Sequence, residues 1–342
     1  MFASTILFLL ASPLPGPQGV DHVVVVSVDG LRSDALVFGG EKSLPNFHRL
    51  LSGASTLNSR TDPNAIVTLP NHAGMLTGRL MKGEEGHGWA SNASEIQPEI
   101  TLHDGPKRHV SGMFEVAFSN GVRTFMAAGK GKFILFPQSW PDALSETHIH
   151  SLDSRENLRS FETDLTDSFL AHLDSASGPT LSFLHYPGPD IEGHTKGWKL
   201  HEESAYMKAV SAVDMELGRI LSAFAEKDAE GAGCALILTS DHGGGASHHD
   251  HKAKPGLWVN YIIPFAIWRS DGKAKGELYA LNSSNREDPG IRNPASLNGV
   301  IPPIRNAEAA NVALALLGLP PVPGSTENVA QDLKWLSTPL RD

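Results

Sequence analysis

Along the chain, three uninterrupted apolar runs contrast with stretches whose hydrophobic positions recur at helical spacing. His22 to Val28, Thr180 to Tyr186 and Leu236 to Thr239 have the length and the β-branched or aromatic content of buried parallel strands. Helical spacing marks Leu44 to Leu51, where Phe47, Leu50 and Leu51 fall at i, i+3 and i+4, and also Asn157 to Leu173 and Glu202 to Lys227. A final helix is expected over Ala307 to Leu317. Further strands are expected at Val122 to Ala127 and at Tyr261 to Trp268, where Pro264 suggests a strand start or a sheet edge. Asp271 to Pro294 is polar, carries turn signals, and reads as a surface loop or small hairpin. Strands alternating with helices predict a mainly parallel sheet with helices on both faces.

The three apolar runs share an ending. Asp29-Gly30 follows the first, Pro187-Gly188-Pro189-Asp190 the second, and Ser240-Asp241-His242-Gly243 the third. In an open α/β sheet, ligands bind outside the carboxyl ends of the strands. One aspartate there is an ordinary helix cap. Three, with His242 beside one and His194 four residues beyond another, suggest a site for divalent metal ions. His248, His249 and His251 add imidazoles just after the third. Thr68, followed by Pro70, has the signature of a helix N-cap, with Gly78 as the stop. The alternative is that its hydroxyl, at a helix N-terminus beside a metal, acts as a nucleophile. Arg32 and Asp34 read as a surface pair, and His72 and His87 as structural. Gly129-Lys130-Gly131-Lys132 is too short for a phosphate-binding glycine motif and carries no weight.

Composition narrows the partners. The 342 residues suit one large α/β domain, expected over 21–342, with 1–20 as a possible leader. Lys+Arg 28 against Asp+Glu 38 gives a net charge of −10 with no basic block, which argues against general nucleic-acid binding. Phe2 to Leu14 holds a short apolar stretch resembling a signal-peptide core, without a charged start, and too short to span a membrane. The expectation is a periplasmic or secreted protein, or a cytoplasmic one if that stretch is not a signal. The single cysteine, Cys234, excludes an intrachain disulfide and reads as a small core residue. Oligomeric state is left open.

Four motifs in order, Val28-Asp29-Gly30-Leu31-Arg32, Thr68-Leu69-Pro70-Asn71-His72, Asp190-Ile191-Glu192-Gly193-His194 and Ser240-Asp241-His242-Gly243-Gly244, resemble the alkaline phosphatase superfamily in its type I phosphodiesterase/nucleotide pyrophosphatase branch. The resemblance covers about residues 22 to 320 and implies an α/β fold, a three-layer α/β/α sandwich around a mainly parallel central sheet. It implies two divalent ions, Zn²⁺ or alternatively Mn²⁺. One would be held by Asp29, Asp241 and His242 with Thr68 beside it as nucleophile. The other would be held by Asp190, His194 and His248, with His249 or His251 as alternatives for the last. Asn92 matches an asparagine that holds a phosphoryl oxygen. The implied activity is hydrolysis of a small phosphate ester, of phosphodiester or nucleotide type, through a phosphothreonine. Phosphomonoester or phosphonate hydrolysis on the same site, and an inactive metal-binding relative, are the alternatives. A sulfatase would need the cysteine or serine of a Cys/Ser-x-Pro-x-Arg motif as nucleophile, but Cys234 lies elsewhere and Thr68 occupies that position; a serine hydrolase would need a Gly-x-Ser-x-Gly elbow, which is absent.

Overall fold

The computed structural model describes residues 19–150, 158–245, 258–290 and 301–336. The N-terminal stretch read as a leader and the three histidines at 248, 249 and 251 lie outside the described residues. The strands are β1 (His22–Val28), β2 (Ala54–Arg60), β3 (Arg123–Ala128), β4 (Glu146–Ile149), β5 (Thr180–Tyr186), β6 (Cys234–Thr239), β7 (Ile262–Arg269) and β8 (Gly276–Glu277). The helices are α1 (Ser33–Ser43), α2 (Pro45–Leu51), α3 (Thr68–Thr77), α4 (Met113–Ser119), α5 (Leu135–Ser139), α6 (Leu158–Asp174), α7 (Gly188–Lys196), α8 (Ala205–Ala229), α9 (Leu278–Leu281) and α10 (Ala309–Leu316).

Among the described residues the eight strands form one sheet, ordered β4-β3-β5-β1-β6-β7-β2-β8. Only β7 runs antiparallel to its neighbours, β6 and β2. β1 is buried on both faces, and the two-residue period of its side chains divides the core in two. Val23 and Val25 face a cluster with Leu69, Ala73, Met113 and Leu314, from α3, α4 and α10. Val24, Val26 and Val28 face Leu36, Phe47, Leu165 and Leu217, from α1, α2, α6 and α8. The result is the expected three-layer α/β/α arrangement.

Two expectations are corrected. Pro264 lies inside β7, which pairs on both sides, and not at a strand start or sheet edge. Its missing N–H is tolerated because β2 slips register between Thr56 and Ser59 opposite it, and pairing with β6 ends at Phe265. The segment after Asp271 is not a hairpin; β8 adds to the sheet parallel to β2 and leads directly into α9.

The register of the central strands positions the site. Val28 of β1 lies opposite Tyr186 of β5, and Ser27 lies opposite Thr239 of β6. Three parallel strands therefore end level, and Asp29, Asp190 and Asp241 emerge at one edge. Gly30 has φ 69, and a Cβ there would stand 3.1 Å from Cα and Cβ of Asp190, so glycine lets the β1 turn approach the α7 turn.

A buried acid supports that turn from behind. Glu162 on α6 is 1% exposed and accepts the Gly188 N–H at the start of α7 at 3.1 Å. Burial, with Glu216 nearby, pushes its pKa up to about 8 despite the Gly188 bond. Because the folded pKa exceeds the unfolded value of 4.5, the folded protein holds a proton that the unfolded chain releases. Stability from this group is thus complete below pH 4.5 and falls as the pH rises from 4.5 to about 8. Glu162→Gln is expected to raise the melting temperature more at pH 8 than at pH 5, as calorimetry across that range would show. An equal change at both pH values would contradict it.

Candidate metal and phosphoryl site

Asp29, Asp241 and His242 are completely buried, and each offers one ligand atom, all within 4.8 Å of one another. Their surroundings decide which atoms face inward. Asp241 Oδ1 accepts the backbone N–H groups of Gly30 at 3.1 Å and His242 at 2.9 Å, while Oδ2 has no hydrogen-bond donor. Asp29 Oδ2 accepts from His185 Nε2 at 2.8 Å and Lys130 Nζ at 2.6 Å, while Oδ1 has no donor. His242 Nδ1 lies 2.8 Å from the Gly243 carbonyl, which only accepts, so Nδ1 carries the proton and Nε2 presents a lone pair. Nε2 is 3.6 Å from Asp29 Oδ1 and 3.2 Å from Asp241 Oδ2. Two orphaned carboxylate oxygens and one imidazole lone pair, converging in a buried site, fit a divalent cation.

The charges agree. Burial pushes the Asp29 pKa up, but the Lys130 ammonium and the His185 bond outweigh it and hold the group well below the usual carboxylate range. Asp190 is also held down, burial and the Asp29 charge being overcome by Lys130, His242 and His194. Asp241 goes the other way, pushed well up by burial and by Asp29. Of the three buried aspartates, Lys130 pairs directly with Asp29 and Asp190 and leaves Asp241 without a cationic partner in contact, a deficit of positive charge that a dication would fill.

Lys130 links the two halves of the site. Its Nζ lies 2.7 Å from Asp190 Oδ2 and 3.3 Å from Thr68 Oγ1 as well as on Asp29. Asp190 and His194, one turn apart on α7, stand with Oδ1 and Nε2 3.3 Å apart. The third residue expected with them, His248, lies outside the described residues.

Thr68 is the first residue of α3 and not its cap. Val67 is the N-cap, and no side chain makes a cap bond there. The Thr68 hydroxyl is therefore turned toward Lys130. The rest of its motif anchors the helix. His72 Nδ1 donates to the Thr68 carbonyl at 2.7 Å, and Ser27 Oγ donates to Nε2 at 2.8 Å, which makes His72 a neutral structural residue as expected. Asn306 Nδ2 donates to Asn71 Oδ1 at 3.2 Å and to the Ser240 carbonyl at 3.1 Å, tying α3 to the end of β6. Asn92 Oδ1 accepts the Leu69 N–H at 3.0 Å and Lys132 Nζ at 2.9 Å, placing its amide at the α3 N-terminus. Arg32 grips Asp34 through two bonds, at 2.8 and 2.6 Å, and also donates to the Trp198 carbonyl at 3.0 Å, so this pair braces the loop after α7.

Sequence reasoning missed Lys130, Lys132 and His185. The two lysines follow the end of β3, a strand anticipated within one residue, so the rule that strand carboxyl ends face the site was the available signal. Gly129 is required between them and the strand because a Cβ there would lie 2.4 Å from Pro187 Cγ. His185 had no such signal. Its Nδ1 accepts the Gly129 N–H at 3.3 Å, which leaves Nε2–H to donate to Asp29.

The family model for type I phosphodiesterases/nucleotide pyrophosphatases matches residues 23–301. The chain belongs to that family. Its members are enzymes of phosphoryl-transfer or hydrolase type, and the fold is that of the alkaline phosphatase superfamily. Among curated relatives, the 2,3-bisphosphoglycerate-independent phosphoglycerate mutase of Roseobacter denitrificans is 37% identical over 165 residues, covering 46% of this chain and 28% of that enzyme. The chain thus matches little more than a quarter of that relative's length. Among solved structures of the same fold, murine ectonucleotide pyrophosphatase/phosphodiesterase 5 has a TM-score of 0.55 at 16% identity, covering 92% of this chain and 100% of that one. The C-terminal periplasmic domain of EcEptC from Escherichia coli, in complex with Zn, has a TM-score of 0.54 at 14% identity, covering 90% and 87%. No helix of this family member, among the described residues, is long and apolar enough to cross a membrane.

Proposed function

We propose that the protein is a metal-dependent phosphoric ester hydrolase working through a phosphothreonine on Thr68. The observation that carries this reading is the Thr68 hydroxyl, free of any capping bond and 3.3 Å from the Lys130 ammonium that joins Asp29 to Asp190. Asp29, Asp241 and His242 would hold one divalent ion, and Asp190, His194 and His248 a second, with zinc favoured by the mixture of carboxylate and imidazole. Ions bound there would supply Lewis acidity, lowering the pKa of a nearby hydroxyl and offsetting charge on the phosphoryl oxygens.

The chain's own groups do the rest. Thr68 Oγ attacks phosphorus as the P–O bond to the alcohol breaks, and the proton lost from the threonine hydroxyl ends on the departing alcohol oxygen. Water then attacks the phosphothreonine, releasing phosphate or its monoester and returning the hydroxyl. With Asn92 Oδ1 engaged by Leu69 N–H, its Nδ2 is the group left to hold a phosphoryl oxygen. The α3 N-terminus offers its first N–H groups and dipole to the same charge. Lys130 holds the Asp29 and Asp190 carboxylates ionised and stands beside the nucleophile.

The substrate favoured by the family is a phosphodiester or nucleotide, with phosphomonoesters and phosphonates as the alternatives. One catalytic domain over 21–342, exported to the periplasm or secreted, fits the apolar N-terminal stretch and the periplasmic origin of one structural relative. Zinc-loaded protein is expected to hydrolyse bis-p-nitrophenyl phosphate faster than p-nitrophenyl phosphate, followed by release of nitrophenolate. Turnover of neither would defeat the reading; a faster monoester would transfer it to the alternative.

A further inference from the structure

Lys132 has a feature that the reaction above does not use. Its Nζ lies 2.9 Å from Asn92 Oδ1, and among the described residues no carboxylate forms an ion pair with it. Lys130, two residues earlier, satisfies two aspartates. Lys132 is half-buried beside the same three acids yet reaches only a neutral amide. Burial and then the Lys130 charge pull its pKa down to about 8, outweighing the Asp29, Asp190 and Asp241 charges, none of which it contacts directly.

The placement is specific. Asn92 Oδ1 joins Lys132 to the Leu69 N–H, immediately after the nucleophile. Lys130 is the lysine in contact with Thr68 Oγ1 and with the aspartates, so the phosphoryl group entering at Thr68 meets Lys130 first. Lys132 is tied instead to Asn92, with no hydrogen bond to Thr68 or to the aspartates among the described residues. A partly desolvated ammonium costs stability unless something negative completes it, and an anion at that position would be held by a charge-assisted bond.

We propose that Lys132 forms a second anion subsite, selecting substrates that carry a further negative group, carboxylate or phosphate, outside the phosphoryl group being cleaved. This rests on the phosphoester reading of the site and names its substrate class. The subsite binds charge and takes no part in bond breaking; Lys132 keeps its proton throughout.

A series of two-carbon phosphomonoesters that differ only in the charge of the alcohol tests it: phosphoglycolate, ethyl phosphate and ethanolamine phosphate. Ethylene glycol bisphosphate distinguishes phosphate from carboxylate as the preferred second group. In the wild type, kcat/KM is expected to fall in the order anionic, neutral, cationic, with at least about tenfold between the ends, corresponding to about 1.4 kcal/mol. Lys132→Gln should compress that ratio about tenfold, chiefly through KM of the anionic esters, and Lys132→Arg should restore it. A flat series in the wild type overturns the proposal. So does a Lys132→Gln protein that loses the same factor on every ester, because the lysine would then serve the scissile phosphoryl group. If no ester is turned over, the hydrolase reading fails separately, and calorimetric binding of the same esters to Thr68→Ala protein still decides the subsite. Ranked affinities that flatten in Thr68→Ala/Lys132→Gln would support it, and equal affinities would overturn it.

Discussion

Thr68→Ala is expected to lower kcat on phosphate esters by at least about a thousandfold, the scale of loss when a nucleophile is removed from a site whose binding groups remain. The fold should tolerate the change. Thr68 is 2% exposed, yet its hydroxyl makes no cap bond and its recorded partner is Lys130. The structural link at this position, from His72 Nδ1 to the Thr68 carbonyl, belongs to the backbone and survives. Alanine is also the better helix former at the first turn. Unchanged circular dichroism and metal content alongside the lost rate would assign the defect to chemistry. A residual rate within tenfold of wild type would remove Thr68 as nucleophile.

Asp241→Asn is expected to produce two opposite effects. Metal affinity should fall at least about a hundredfold, because one of three converging ligand atoms changes from an anionic to a neutral oxygen. Stability of the metal-free protein should rise, because the substitution removes a like charge from beside Asp29 and Asp190. The amide oxygen can still accept the Gly30 and His242 N–H groups that hold Oδ1. Wild-type protein should melt lower after chelation, since a ligand that binds only the folded state stabilises it in proportion to the logarithm of its concentration over Kd. Metal analysis and thermal melts of both proteins, with and without chelator, would check all three statements. A wild type that retains no divalent ion, or an Asp241→Asn protein that binds it equally, would contradict the proposed ligand set.

Much of the fold was legible because buried parallel strands announce themselves. β1 and β5 have the bounds that their apolar runs predicted, as two-sided burial excludes polar positions. β2, with Ser55, Thr56, Asn58 and Ser59, and the partly exposed β4 carried no such run and were not anticipated. Their place comes from pairing with neighbours already in the sheet. The long helices over 158–174 and 205–229 were visible in their 3.6-residue period, whereas the short α4 and α5 span too few turns to show one.

The same division runs through the site. Asp29, Asp190 and Asp241 could be singled out from sequence because each follows a recognisable strand, and Thr68 because it opens a helix. Those are local features, written into a few consecutive residues. Their convergence is not local: Asp29 and Asp241 lie 212 positions apart, and only the register of Val28 with Tyr186 and of Ser27 with Thr239 brings the three strand ends level. Lys130 and His185 became part of the site for the same reason. The sequence alone determined which groups stand at strand ends and helix starts, since backbone periodicity and turn chemistry depend on neighbours along the chain. The tertiary structure decided which oxygen of each carboxylate is satisfied and which is left facing inward, because that depends on donors arriving from other strands.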